Sequence, residues 1–216
     1  FPSIVKVPGF LDVALDDVQR TRAPLDDSFA FTGTDMVRPA MLANVEVVKR
    51  MTIDEKIRFW RFVMDMADAR GIEVYWFTWN LFTWGATGKH GITGEQDDPV
   101  TLAYMRASIR ETVTTYPKLA GIGFTAGENL KPFAAGRSKE AWLRRTYGEG
   151  VLDALRQQPG RSLRLVHRVH MSGLDEILNS WSGFELPLEF SFKYSVADMY
   201  SITNPPFIAP LLPKLG

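Results

Sequence analysis

Cysteine is wholly absent from the 216 residues. That removes disulfides, thiolate metal sites and cysteine nucleophiles together, and it leaves the redox compartment open. A net charge is missing as well, since 25 Lys and Arg balance 25 Asp and Glu. With no global field to steer a polyanion, nucleic-acid and anionic-membrane partners are disfavoured. No run of about 18 apolar residues exists to span a bilayer. Neither GxGxxG nor GxxxxGK(S/T) follows any expected strand, which takes away the main nucleotide-binding signatures. What the chain does have in quantity is aromatic residues, 12 % of the total with six Trp.

The pivotal stretch is residues 119–130, LAGIGFTAGENL. Its first half is apolar, short and Gly-lightened, as a strand buried on both faces would be. Its second half turns small and polar and carries Glu128. Before it, Thr52 and Glu55 fit a capping box, and Ile53, Ile57, Trp60, Met64 and Ala67 form a helical stripe ending near Gly71. Residues 72–80, IEVYWFTWN, read as a strand, with Trp76 and Thr78 on one pleat face and Tyr75, Phe77 and Trp79 on the other. Asp98-Pro99 opens a helix with Leu102, Met105, Ile109 and Val113 on its stripe. Ser138 opens another, followed by a strand at 163–166, a short helix at 174–179 and a strand at 188–192. Upstream, residues 3–7 read as a strand closed by Pro8-Gly9, residues 10–18 as a short helix or loop, and residues 20–39 as a long irregular connection.

Alternating helices and strands with short connections predict a parallel sheet of α/β type. Without nucleotide-binding turns, the expected architecture is a (β/α)8 TIM-type barrel. Four βα units and a first strand are fewer than eight, so a partial or truncated barrel in one domain over 1–216 is expected, a fragment of a longer chain.

The residues just past the strands then matter, because in a barrel they share one mouth. They are Trp79, Asn80 and Trp84; Thr125, Glu128 and Asn129; His167 and His170; Lys193 and Tyr194. Indole faces stack on sugar C–H faces, while Asn and Glu form forked hydrogen bonds with hydroxyls. A tuned Glu serves as general acid or nucleophile at an oxocarbenium-like centre. Glu128 is therefore the candidate catalytic residue and the other residues named, Thr125 apart, are candidate substrate contacts. The second carboxylate that glycoside hydrolysis needs is open between Asp198, Glu95 and residues elsewhere. Blander readings stand beside these. Glu128 could cap a helix or pair with Lys131, the two histidines could hydrogen-bond to carbonyls, and Glu95, Asp97 and Asp98 could be a solvated loop and helix start.

The segments VYWFTWNLFTWGATGKHGIT, AGIGFTAGENL and FSFKYSVADMYSITNPPF resemble a group of bacterial polysaccharide-utilisation proteins. These are glycoside hydrolase-like (β/α)-barrel enzymes distantly similar to α-glucuronidases. The resemblance implies a carbohydrate substrate, Glu128 as the acid of the TAGEN turn, and Lys193, His167 and His170 as contacts to a uronic carboxylate or to hydroxyls. No cofactor or metal belongs to that reading, and a secreted or periplasmic location accompanies it. Two other readings stay open: a metal-assisted sugar-acid lyase or isomerase using His167, His170 and Glu128, and a non-catalytic carbohydrate-binding barrel.

Overall fold

The computed structural model describes residues 4–10, 19–22, 46–78, 86–127, 138–192 and 208–215. The central element is a four-stranded parallel sheet in sequential order. Its strands are β3 (Val74–Thr78), β4 (Leu119–Phe124), β5 (Arg164–Val169) and β6 (Leu188–Phe192). A separate antiparallel pair joins β1 (Gln19–Arg22) to β2 (Glu46–Arg50). This pair corrects the reading of residues 20–39 as one irregular connection; its partners are 24 or more residues apart in sequence, a pairing that no local pattern announces. Residues 4–7 form no strand either. Val5 and Val7 are buried in the core, and the expected turn at Pro8-Gly9 is present, with the Phe10 amide donating to Val7 O at 2.9 Å.

The helices form where the capping signals place them. Helix α1 (Ile53–Asp68) starts on a reciprocal box: the Glu55 amide donates to Thr52 Oγ1 at 3.3 Å, and the Thr52 amide donates to Glu55 Oε2 at 2.8 Å. Helix α2 (Pro99–Thr115) begins after Asp98, whose carboxylate accepts from the amides of Val100 and Thr101 at 2.9 and 3.0 Å. Helix α3 (Lys139–Leu143) runs through a π-helical turn (Arg144–Gly148) into α4 (Glu149–Gln157). A short α5 (Leu174–Ser180) precedes β6, and a 3-10 turn (Leu212–Lys214) closes the described part.

At its far end α2 leaves carbonyls that nothing in the helix can satisfy. Three side chains supply donors. Arg161 donates to the carbonyls of Val113 and, at 2.7 Å, Tyr116; Arg61 donates to Thr115 O at 2.8 Å; and Gln158 donates to Thr114 O at 3.5 Å.

The helices pack on one face of the sheet. Trp60 of α1 and Tyr116 beyond α2 meet Trp76 edge-on, with ring centroids 5.4 and 4.7 Å apart. Tyr147 of the π turn and Trp181 beyond α5 lie against Phe124 at 5.3 and 5.2 Å. A doubly wound sheet carries helices on both faces, whereas a barrel carries them on its outside alone. Sequential parallel strands with helices on one side are consistent with part of a barrel.

Candidate functional site

Strand alternation, fixed by these contacts, sorts the sheet residues. Trp76, Thr78, Ile122, Phe124, Leu165, His167 and Phe190 face the helices. Tyr75, Phe77, Arg164, Val166, Arg168, Glu189 and Ser191 face the other way. On that second face β4 contributes only Gly121 and Gly123. A methyl at either would collide with the rings of Tyr75 and Phe77, which lie across the two glycines. Phe77 remains 52 % exposed, so this face is uncovered at its centre.

Charge is distributed along the open face by depth. Near the N-terminal ends of the strands, Arg164 forms a two-pronged pair with Glu189, 2.6 Å at Nη2, and donates to Tyr75 Oη at 2.6 Å. Tyr75 in turn donates to Glu73 at 2.6 Å. The guanidinium of Arg164 holds the Glu189 carboxyl below its usual range, while the Glu73 carboxylate raises the Tyr75 hydroxyl. At the C-terminal ends, Arg168 of β5 stands opposite Ser191 of β6. Thr125 follows β4 directly; it is 1 % exposed, and its hydroxyl has no hydrogen-bond partner among the described residues. Residues 125–127 are all buried, so the chain is anchored up to the residue before Glu128.

His167 requires a correction. Strand β5 continues to Val169, three residues beyond the expected end, so His167 lies within the strand and not past it. The alternation turns its ring toward the helices, where it is fully buried. Its Nε2 lies 2.7 Å from Glu140 Oε2 and its Nδ1 3.1 Å from Arg168 O. Donation from both ring nitrogens makes an imidazolium–carboxylate pair and leaves His167 no lone pair for a metal ion. Trp181 Nε1 donates to the same carboxylate oxygen at 3.1 Å. Burial pushes the Glu140 carboxyl up, but His167, by hydrogen bond and charge, with Ser172 and Trp181, outweighs it and holds the carboxyl below its ordinary value. Ser172 acts by proximity: its buried hydroxyl and Glu140 Oε1 both stand outside hydrogen-bond geometry.

His170 is exposed beyond β5, as expected. Trp79, Asn80, Trp84, Glu128, Asn129, Lys193 and Tyr194 lie outside the described residues, as do Lys131 and Asp198. Of the acidic patch, Asp98 is engaged in capping α2. No group of three or more His, Asp or Glu able to hold a metal ion occurs among the described residues. No helix among them is long and apolar enough to cross a membrane. Reasoning from sequence missed Glu140, which sits in the first turn of α3, where an acid ordinarily answers the helix dipole in solvent. The signal that could have found it is His167 itself, a polar residue on the apolar side of an alternating strand.

A cavity of about 370 Å³ lined by Arg61, Met64, Asp65, Lys118 and Gln158 opens at the opposite end, where Pro117 and Lys118 lead into β4. Lys118 is paired there with Asp65 and Asp68 at 3.1 and 2.8 Å, and Arg61 is held by Thr115. It is far from the strand ends that carry barrel chemistry.

Against known proteins, no family model matches the chain, and no curated protein does. Among solved structures it is similar to a GH138 enzyme targeting pectin rhamnogalacturonan II, with a TM-score of 0.57 and 19 % identity. The match covers 66 % of this chain and 17 % of that one. At this identity the likeness is one of fold: the sheet and its helices are arranged as in a part of a glycoside hydrolase.

Proposed function

We propose that this chain is a portion of a (β/α)-barrel glycoside hydrolase acting on a polysaccharide or oligosaccharide, with Glu128 as acid/base or nucleophile. The supporting observation is the arrangement of the sheet: parallel strands in order, helices on one face, and an uncovered face whose C-terminal margin leads from the buried residues 125–127 into Glu128. In a barrel that face is the inner one, and its C-terminal margin is where catalytic residues gather. The fold likeness to a pectin-directed enzyme agrees with a carbohydrate substrate, uronic acids included. Trp79, Asn80, Trp84, Asn129, His170, Lys193 and Tyr194 are the proposed substrate contacts, with His167 behind the sheet as a buried support.

The test is hydrolysis of pectic and glucuronate-bearing oligosaccharides by the intact protein, read as reducing-end release. Glu128→Gln keeps the shape and removes the proton chemistry, so turnover falls by about 10²–10⁴-fold while saccharide binding stays within a few-fold. Binding by the wild type with no turnover of any such substrate would establish a non-catalytic carbohydrate-binding barrel in its place.

A further inference from the structure

Two arginines project from β5 onto the open face, four residues apart, and their surroundings differ. Arg164, at the N-terminal side, lies in a closed ionic group with Glu189, Glu73 and Tyr75. That group neutralises itself and belongs to the floor of the sheet. Arg168, half-buried at the C-terminal side, lies in the last row of the face, with Ser191 opposite it on β6 and Thr125 just beyond the neighbouring end of β4. One row below are Phe77, Gly123 and Val166. A flat, half-exposed ring is thus overlain by a margin carrying two hydroxyls and a guanidinium.

Buried hydroxyls are ordinarily hydrogen-bonded, since leaving one unpaired in a dry site is costly. The Thr125 hydroxyl, 1 % exposed and without a partner among the described residues, is therefore a second and independent sign that this margin holds polar atoms from elsewhere. The chemistry of the margin is specific. A guanidinium presents a planar fork that matches a carboxylate, hydroxyls match hydroxyls, and an aromatic face suits the C–H side of a pyranose ring.

We propose that Arg168, Ser191 and Thr125, above Phe77, form a subsite for an acidic sugar, with Arg168 binding the carboxylate of a uronic acid. This rests on the carbohydrate reading above and adds to it which sugar chemistry is selected and by which residue. It places selectivity on β5 and β6, separate from the turn that carries Glu128.

The experiment is calorimetric titration of the intact protein with trigalacturonate and with neutral galactotriose, comparing wild type with Arg168→Ala, Arg168→Lys and Ser191→Ala, each checked for an unchanged thermal melt. The expected result is a wild-type preference for the acidic trisaccharide. Arg168→Ala reduces that affinity by about tenfold or more, the worth of one charge-assisted hydrogen bond, and changes the neutral one less than about twofold. Arg168→Lys recovers part of the loss, because charge returns without the fork. Ser191→Ala, which leaves every charge in place, tests the subsite even if both Arg168 variants misfold, with a loss of a few-fold expected. A wild-type preference that survives all three substitutions, or binding of the neutral sugar alone, overturns the subsite while the carbohydrate reading stands. Failure of the wild type to bind either trisaccharide, or the pectic and glucuronate-bearing oligosaccharides above, overturns both.

Discussion

The two faces of the sheet handle charge in opposite ways. On the helix-covered face, water is excluded, and the ionisable pair Glu140–His167 is closed by hydrogen bonds from all sides but one oxygen. On the open face, Arg164, Glu189 and Glu73 stand in solvent and pair without needing burial. The first arrangement is costly to build and costly to break. The second contributes little to stability, since exposed ion pairs are worth at most about 1 kcal/mol. Parallel sheets are ordinarily covered on both sides, so the half-exposed Phe77 marks the second face as the one that function, not folding, has kept open.

The contrast can be broken most sharply at Glu140. Replacing it with Ala leaves His167 buried without its counter-charge, and the expected loss is about 3–5 kcal/mol by urea or guanidinium denaturation. Replacing Glu140 and His167 together by Leu and Phe restores most of that stability, because an apolar pair needs no partner. If the double variant is as unstable as the single, the pair is not the source of the effect.

A pH titration of stability sharpens the same point. The Glu140 carboxyl is lower in the folded state than its unfolded value of about 4.3, so the unfolded chain binds the proton more readily. Its stabilising contribution is therefore complete above that unfolded value and declines as pH falls through the folded one. Denaturation midpoints measured from about pH 6 down to about pH 3 will fall more steeply in the wild type than in Glu140→Gln.

At the junction of the faces, Gly123→Ala pushes a methyl into the Phe77 ring and costs about 1–3 kcal/mol. Adding Phe77→Ala relieves that collision, so non-additivity in the double-mutant cycle identifies the contact. The smallest effect belongs to Phe77→Ser alone: with its ring half in water, stability changes by about 0.5 kcal/mol or less. A loss of about 2 kcal/mol or more would mean that something covers the open face.

Legibility from sequence divides along the same line. Elements governed by local chemistry were readable: the capping box at Thr52, the Asp98-Pro99 start, and the bounds of β4 and β6 all follow from neighbours within a few residues. The pleat assignment of Trp76 against Tyr75 and Phe77 followed from period two alone. What depended on distant partners was not readable. Strands β1 and β2 are charged or polar segments whose pairing is set by each other, and Val5 and Val7 look like a strand but are buried without becoming one. For His167, strand length decides everything, because ending the strand early sends the ring to the mouth, whereas three more residues send it to Glu140, 27 positions away in sequence. Most of the residues proposed to touch substrate, Glu128 among them, lie outside the described structure, so their placement rests on the motif.

The π-helical turn at Arg144–Gly148 has a consequence for tolerance to insertion and deletion. A π turn holds one residue more than the α-helix around it, so it sets the phase between what comes before and after. Upstream of it Glu140 is aimed at His167; downstream, Val151 and Ala154 are aimed at the core. Deleting a single residue from this turn would rewind it to regular helix and rotate the following segment by about 100° relative to the preceding one. Asp153, now bound to Arg106, would then be carried toward the apolar interior, so this helix can lose a residue at its ends far more readily than at its middle.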